Sequence, residues 1–100
     1  MWHKVSKISD IEEGQATLCD IGGQEIAVFK SGGGFYAMDG VCPHQGGPLH
    51  EGYVADGEVT CPWHAWAFDI KTGECQTVSG VQQKCFKTKI ENEEVWIDVL

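Results

Sequence analysis

Two short loops, Cys42-Pro43-His44 and Cys61-Pro62-Trp63-His64, constrain this chain more than any other feature, and only sixteen residues, 45–60, separate them. Each loop offers one thiolate and one imidazole, the soft and borderline donors that transition metals prefer. A lone Cys-x-His arises easily by chance, whereas a second Cys-x-x-His at this distance points to a four-ligand metal centre. Such a centre obliges the fold to bring both loops to one place. The same donors also suit a tetrahedral zinc ion, but zinc fingers usually keep their cysteines together and their histidines together. Here each loop is mixed, which suits a binuclear centre in which each loop reaches both metals.

The remainder of the chain reads as strands and turns. Residues 2–8 alternate apolar and polar side chains as a strand does, and 9–14 follow as a loop. Gly22-Gly23 between 15–21 and 24–30 is a two-residue hairpin signal, and residues 31–34 turn the chain again into 35–39. Within the spacer, Asp56-Gly57 sits between 53–54 and 58–60, so the spacer is expected to be a β-hairpin that delivers both ligand loops to one end. Past His64, residues 65–70 read as a strand with 74–76 as its partner, and 78–81 as a third loop beside the metal site. Residues 82–90 and 95–100 are expected to close the fold, with Phe86, Ile90, Val95, Ile97 and Val99 in the core. No stretch has helical periodicity. The expectation is an all-β fold of stacked small antiparallel sheets: one domain over residues 1–100, with a cluster-binding subdomain from about 40 to 73 inserted in it.

Charge narrows the partners. Asp plus Glu number 15 against 7 Lys plus Arg, a net charge of −8. That balance argues against nucleic acid and anionic membranes as partners and favours a docking partner with a basic patch. With Cys42 and Cys61 assigned, the chain keeps Cys19, Cys75 and Cys85, an odd remainder that does not form a disulfide framework and fits a reducing compartment. No signal-peptide stretch is found at residues 1–12 and no run approaches membrane-spanning length, so the expected location is the cytoplasm.

The two ligand loops resemble those of the Rieske [2Fe–2S] proteins, whose pattern is C-x-H followed by C-x-x-H. The resemblance implies that Cys42 and Cys61 bind the buried iron of one [2Fe–2S] cluster, while His44 and His64 bind the outer iron near the surface. Two neutral imidazoles in place of thiolates leave the oxidised cluster uncharged, which raises its potential above that of an all-cysteine cluster. Gly46-Gly47-Pro48 would let the backbone pass close to it. High-potential members carry a disulfide between the positions of Gly47 and Trp63, and hydroxyls at the positions of Trp66 and Phe68. None of these groups is present here, so the resemblance implies a midpoint low in the family range, about −150 mV. Trp63, Trp66 and Phe68 would pack the loops and replace the missing disulfide as a clamp.

In function, the chain is similar to the Rieske ferredoxins, one-electron carriers between a flavin-containing NAD(P)H reductase and a Rieske non-haem iron oxygenase that hydroxylates aromatic rings. The edges of His44 and His64 would be the electron exit, with Gln45, Gly46, Pro48, Trp63 and Ala65 as the docking surface. The runs 42–49, 66–69 and 71–74 resemble equally the small Rieske-like subunit of assimilatory NAD(P)H nitrite reductase, and a zinc-stabilised interaction module is the alternative of another class. No nucleophile or general base can be named. His50 fits neither ligand position and reads as a polar surface residue, and His3 reads as a bystander.

Overall fold

A computed structural model of the chain describes residues 1–63 and 65–99. Within them lie ten strands: β1 Trp2–Lys7, β2 Ala16–Ile21, β3 Gln24–Ser31, β4 Gly34–Asp39, β5 Tyr53–Ala55, β6 Glu58–Thr60, β7 Ala67–Asp69, β8 Cys85–Phe86, β9 Thr88–Glu91 and β10 Glu94–Asp98. Single 3-10 turns cover Ile8–Asp10 and Leu49–Glu51. The strands form three antiparallel sheets, ordered β1-β10-β9, β2-β3-β4-β8 and β5-β6-β7. The expected all-β architecture of small antiparallel sheets is the one observed.

The layering follows from β3. Its run Ile26-Ala27-Val28-Phe29 is at 0% exposure throughout, the signature of a strand covered on both faces rather than half-solvated. Ile26 and Val28 pack with Ile11, Ala37, Val95, Ile97 and Val99 toward the β1-β10-β9 sheet. Ala27 and Phe29 pack on the other face with Met38, Leu49, Val59, Phe68 and Ile70. The same cluster holds Cys42, Cys61 and Cys75. The middle sheet therefore separates a framework core from the core beneath the ligand loops. Residues 40–84 leave that sheet at the end of β4 and re-enter it in β8, which pairs back onto β4 through Ala37 with Phe86 and Met38 with Cys85.

Hairpin chemistry sets the registers. Gly22 and Gly23 have φ of 61° and 87°, and Asp56 and Gly57 have 53° and 77°, the left-handed pair that a two-residue turn matched to strand twist requires. Asn92 and Glu93 make the same kind of turn between β9 and β10, at 53° and 62°.

Four expectations about the second half need correction. Residues 82–90 are not one strand: β8 pairs with β4 in the middle sheet and β9 with β10 in the outer one. The chain crosses between sheets at Lys87, whose carbonyl accepts the Asp98 N–H at 2.9 Å. Residues 74–76 contribute only isolated bridges, Phe68 with Cys75 and Glu74 with Gln82, and the expected strand at 65–70 begins only at Ala67, because Ala65 lies at φ 59°. Ile90 is 50% exposed although it stands opposite the buried Val95. It lies on the edge strand of its sheet and lines an open cavity with Ile8, Lys30 and Phe35. Among the described residues no helix is long and apolar enough to cross a membrane.

Candidate metal centre

The first ligand loop is held by its own backbone. Asp39 at the end of β4 accepts the Val41 N–H on Oδ1 at 3.0 Å. Val41 and Pro48 face each other as an antiparallel bridge, and the Leu49 N–H donates to the Gly40 carbonyl at 2.9 Å. Inside that neck the Cys42 N–H donates to the Gly47 carbonyl and the Gly46 N–H to the Cys42 carbonyl, both at 2.9 Å. Leu49 is wholly buried and anchors the loop in the core below. These pairings satisfy the backbone at the buried positions Cys42, Gly47 and Leu49, while residues 43–46 are exposed to solvent.

The second loop runs from β6 to β7. Thr60 and Ala67 form the last strand pair, and the Cys61 N–H donates to the Trp66 carbonyl at 2.7 Å. The two loops then converge. A Cβ on Gly47 would lie 2.6 Å from Cys61 Sγ and 3.1 Å from Trp63 Cβ, so only hydrogen fits there. Positions 47 and 63, where the disulfide of the high-potential proteins would stand, are thus neighbours here without one.

The donors are distributed unevenly between interior and surface. Cys42 and Cys61 are each 2% exposed. Burial pushes the Cys61 thiol up, a backbone N–H of Trp63 pulls it down, and the adjacent Cys42 side chain pushes it up again by hydrogen bond and charge. Two thiols thus meet in the interior, a setting where a pair of thiolates requires a cation. His44 is exposed, and its ring stacks on Trp66 with centroids 4.3 Å apart and planes 6° from parallel. His64 lies outside the described residues. Trp63 is 50% exposed and Phe68 wholly buried. Neither Trp66 nor Phe68 carries a hydroxyl.

Residues 75–81 close as a third loop. The Cys75 N–H donates to the Val81 carbonyl at 3.0 Å, and Cys75 Sγ accepts the Val78 N–H at 3.4 Å. Val81 packs against the same core as Cys42 and Cys61. Cys19 is half-buried, and burial, with the Asp20 carboxylate second, pushes its thiol up to about 11. Cys85 is pushed up by burial and then by Asp69. His50 is half-buried on the turn after Pro48, not a surface residue, and its Nδ1 has no hydrogen-bond partner among the described residues. His3 is half-buried in β1 opposite Ile97.

One residue beside the site had no sequence signal. Gln83 is 5% exposed, and its Nε2 donates to the carbonyls of Asp39 at 2.8 Å and Val41 at 2.7 Å. It fastens the point where β4 becomes the first ligand loop. Nothing in Gln82-Gln83 tells the buried amide from its exposed neighbour.

Residues 1–90 match the family described as the Rieske [2Fe–2S] domain. The chain belongs to this family. A Rieske-type [2Fe–2S] cluster is accordingly its cofactor. Among its relatives, the ferredoxin component of the naphthalene 1,2-dioxygenase system of Pseudomonas putida is 34% identical over 99 residues, 98% of this chain and 95% of that protein. Apoptosis-inducing factor 3 of Homo sapiens is 36% identical over 94 residues, which are 93% of this chain but only 16% of that protein. The chain therefore spans about a sixth of one relative and nearly all of the other. A solved complex of reduced oxygenase and oxidised ferredoxin in carbazole 1,9a-dioxygenase contains a chain 30% identical, with a TM-score of 0.87, covering 96% of this chain and 91% of that one. The donor set fits the Rieske cofactor: paired buried thiols suit a metal held from the interior, and the outward imidazole of His44 suits one reached from the surface.

Proposed function

We propose that Cys42, His44, Cys61 and His64 hold the cluster, the two thiolates from the interior and the two imidazoles from the surface. The observation that supports this most directly is the burial gradient between Cys42 and Cys61, at 2% each, and the exposed His44. When bound, the cluster supplies reversible one-electron chemistry. The chain's own residues exclude water from the sulfur side, through Leu49, Val59 and Phe68, and leave the nitrogen side open. Residues 1–100 act as one Rieske domain in this reading, with the excursion from about 40 to 73 as its cluster-binding subdomain.

On this basis the protein is a cytoplasmic electron carrier, not itself a catalyst. It takes one electron from a flavin-containing NAD(P)H reductase and delivers it to a Rieske non-haem iron oxygenase acting on aromatic rings. Docking falls around His44 and His64, on Gln45, Gly46, Pro48, Trp63 and Ala65. The likeness to a naphthalene dioxygenase ferredoxin along nearly its whole length supports this assignment, and the surplus of eight negative charges supports a basic partner surface.

Anaerobic purification followed by absorption and electron paramagnetic resonance of the dithionite-reduced protein tests the ligand set. A reduced [2Fe–2S] spectrum with nitrogen coupling from two imidazoles is expected. A colourless protein that binds zinc in its place would refute the assignment. Reconstitution tests the role: NAD(P)H-dependent ring hydroxylation that requires this chain supports it, and electron delivery to a sirohaem nitrite reductase alone would overturn it.

A further inference from the structure

Trp66 touches both ligand loops, and by different parts of the residue. Its carbonyl accepts the Cys61 N–H at 2.7 Å and so closes the second loop. Its indole crosses to the first loop and lies face to face with the His44 ring, at 4.3 Å and 6°. The two loops are otherwise joined at their outer ends by no covalent link, since Gly47 and Trp63 occupy the positions where a disulfide would stand. We propose that Trp66 is a positioning residue for His44, fixing by stacking the plane of the imidazole that meets the outer iron. This rests on the ligand assignment proposed above.

The chemistry favours the stack in the cluster-bound protein. An imidazole donating to ferric iron is electron-poor, and the indole face is electron-rich, so the ring pair attracts by the same electrostatics that draw cations onto tryptophan. His44 is exposed, and the stack on Trp66 is a contact that favours one orientation of its ring. The backbone half of the clamp persists in any Trp66 variant, because a carbonyl accepts the Cys61 N–H whatever the side chain. Substitution therefore isolates the stacking half.

The test compares Trp66→Leu, which keeps bulk but has no ring face, with Trp66→Phe, which keeps one, both as cluster-bound protein. Two quantities are read: the imidazole nitrogen couplings of the reduced cluster by pulsed electron paramagnetic resonance, and the lifetime of the chromophore in excess chelator. In Trp66→Leu one of the two nitrogen couplings broadens or shifts while the other stays, and the lifetime falls about fivefold, the scale of one aromatic pair. Trp66→Phe restores most of both. If Trp66→Leu assembles no cluster, Trp66→Phe still assembles one under this proposal. A phenylalanine variant no better than the leucine variant, or a leucine variant identical to wild type, overturns it. Absence of any nitrogen coupling in wild type fails differently, since it removes the ligand assignment itself.

Discussion

Gly47→Ala is the sharpest perturbation available at the loop junction. The added methyl would stand 2.6 Å from Cys61 Sγ and 3.1 Å from both Cβ and Cγ of Trp63, against the ~3.5–4.0 Å at which heavy atoms rest. Relief requires one loop to retreat by about 1 Å. The first loop resists, because Gly47 is tied to Cys42 by its carbonyl and Leu49 is wholly buried beneath it. The second resists once its sulfur is bound. Overpacking of this kind costs about 1–3 kcal/mol. Taking about 2 kcal/mol, a domain of this size loses about 8–16 °C in melting temperature. The assay is thermal unfolding of cluster-bound protein, followed both in the far ultraviolet and at the visible chromophore. The chromophore should bleach before the strands melt, since strain is concentrated at the sulfur. A variant with full cluster content that melts within about 2 °C of wild type would show that the loops do not approach as closely as Gly47 indicates.

Other outcomes follow from single features of the fold. Gln83→Leu removes a buried amide that donates to two carbonyls, those of Asp39 and Val41. Chemical denaturation should show a loss of about 2–3 kcal/mol, with faster chelation of the cluster. Glu93 holds φ 62° in the β9–β10 turn, a conformation costly for a side chain with a Cβ, so Glu93→Gly should raise stability by about 0.5–1 kcal/mol in the same assay. The Cys19 thiol, pushed up to about 11 from an ordinary 9.0, holds its proton more tightly folded than unfolded. Its stabilising contribution is complete below pH 9 and disappears as pH rises through about 11. Alkylation of Cys19 in the folded protein should stay slow until that window, and ready labelling at pH 8 would contradict its burial.

What the sequence made legible was whatever is encoded in short range. The hairpin turns at Gly22-Gly23 and Asp56-Gly57 declare themselves because few residues tolerate their backbone. The strand after Gly22-Gly23 was legible as a hairpin arm, whereas the covering of both its faces from Ile26 to Phe29 appears only with the sheets around it. The ligand loops declare a metal by donor type and spacing. The break at Lys87 was not legible, because strand periodicity continues across it while hydrogen bonding passes from one sheet to another. Ile90 was misjudged for a related reason: an apolar side chain at the right parity faces the core only if a layer extends over it.

The site shows the same division more sharply. Donors are properties of residues, so the proposed ligands Cys42, His44, Cys61 and His64 could be named from their types. Clamps are properties of contacts: Trp66 was expected to clamp the loops by its bulk, but the ring it meets lies 22 positions away, and the carbonyls that give Gln83 its role lie 42 to 44 positions away. Gly47 belongs to both classes: its type suggests close approach, but only the position of Cys61 Sγ says what approaches. A substitution that keeps all four donors and disturbs Gly47, Trp66 or Gln83 therefore separates binding the metal from holding it in one geometry. If such variants all retained wild-type spectra and lifetimes, the ligands alone would determine the centre and the surrounding loops would serve only to cover it.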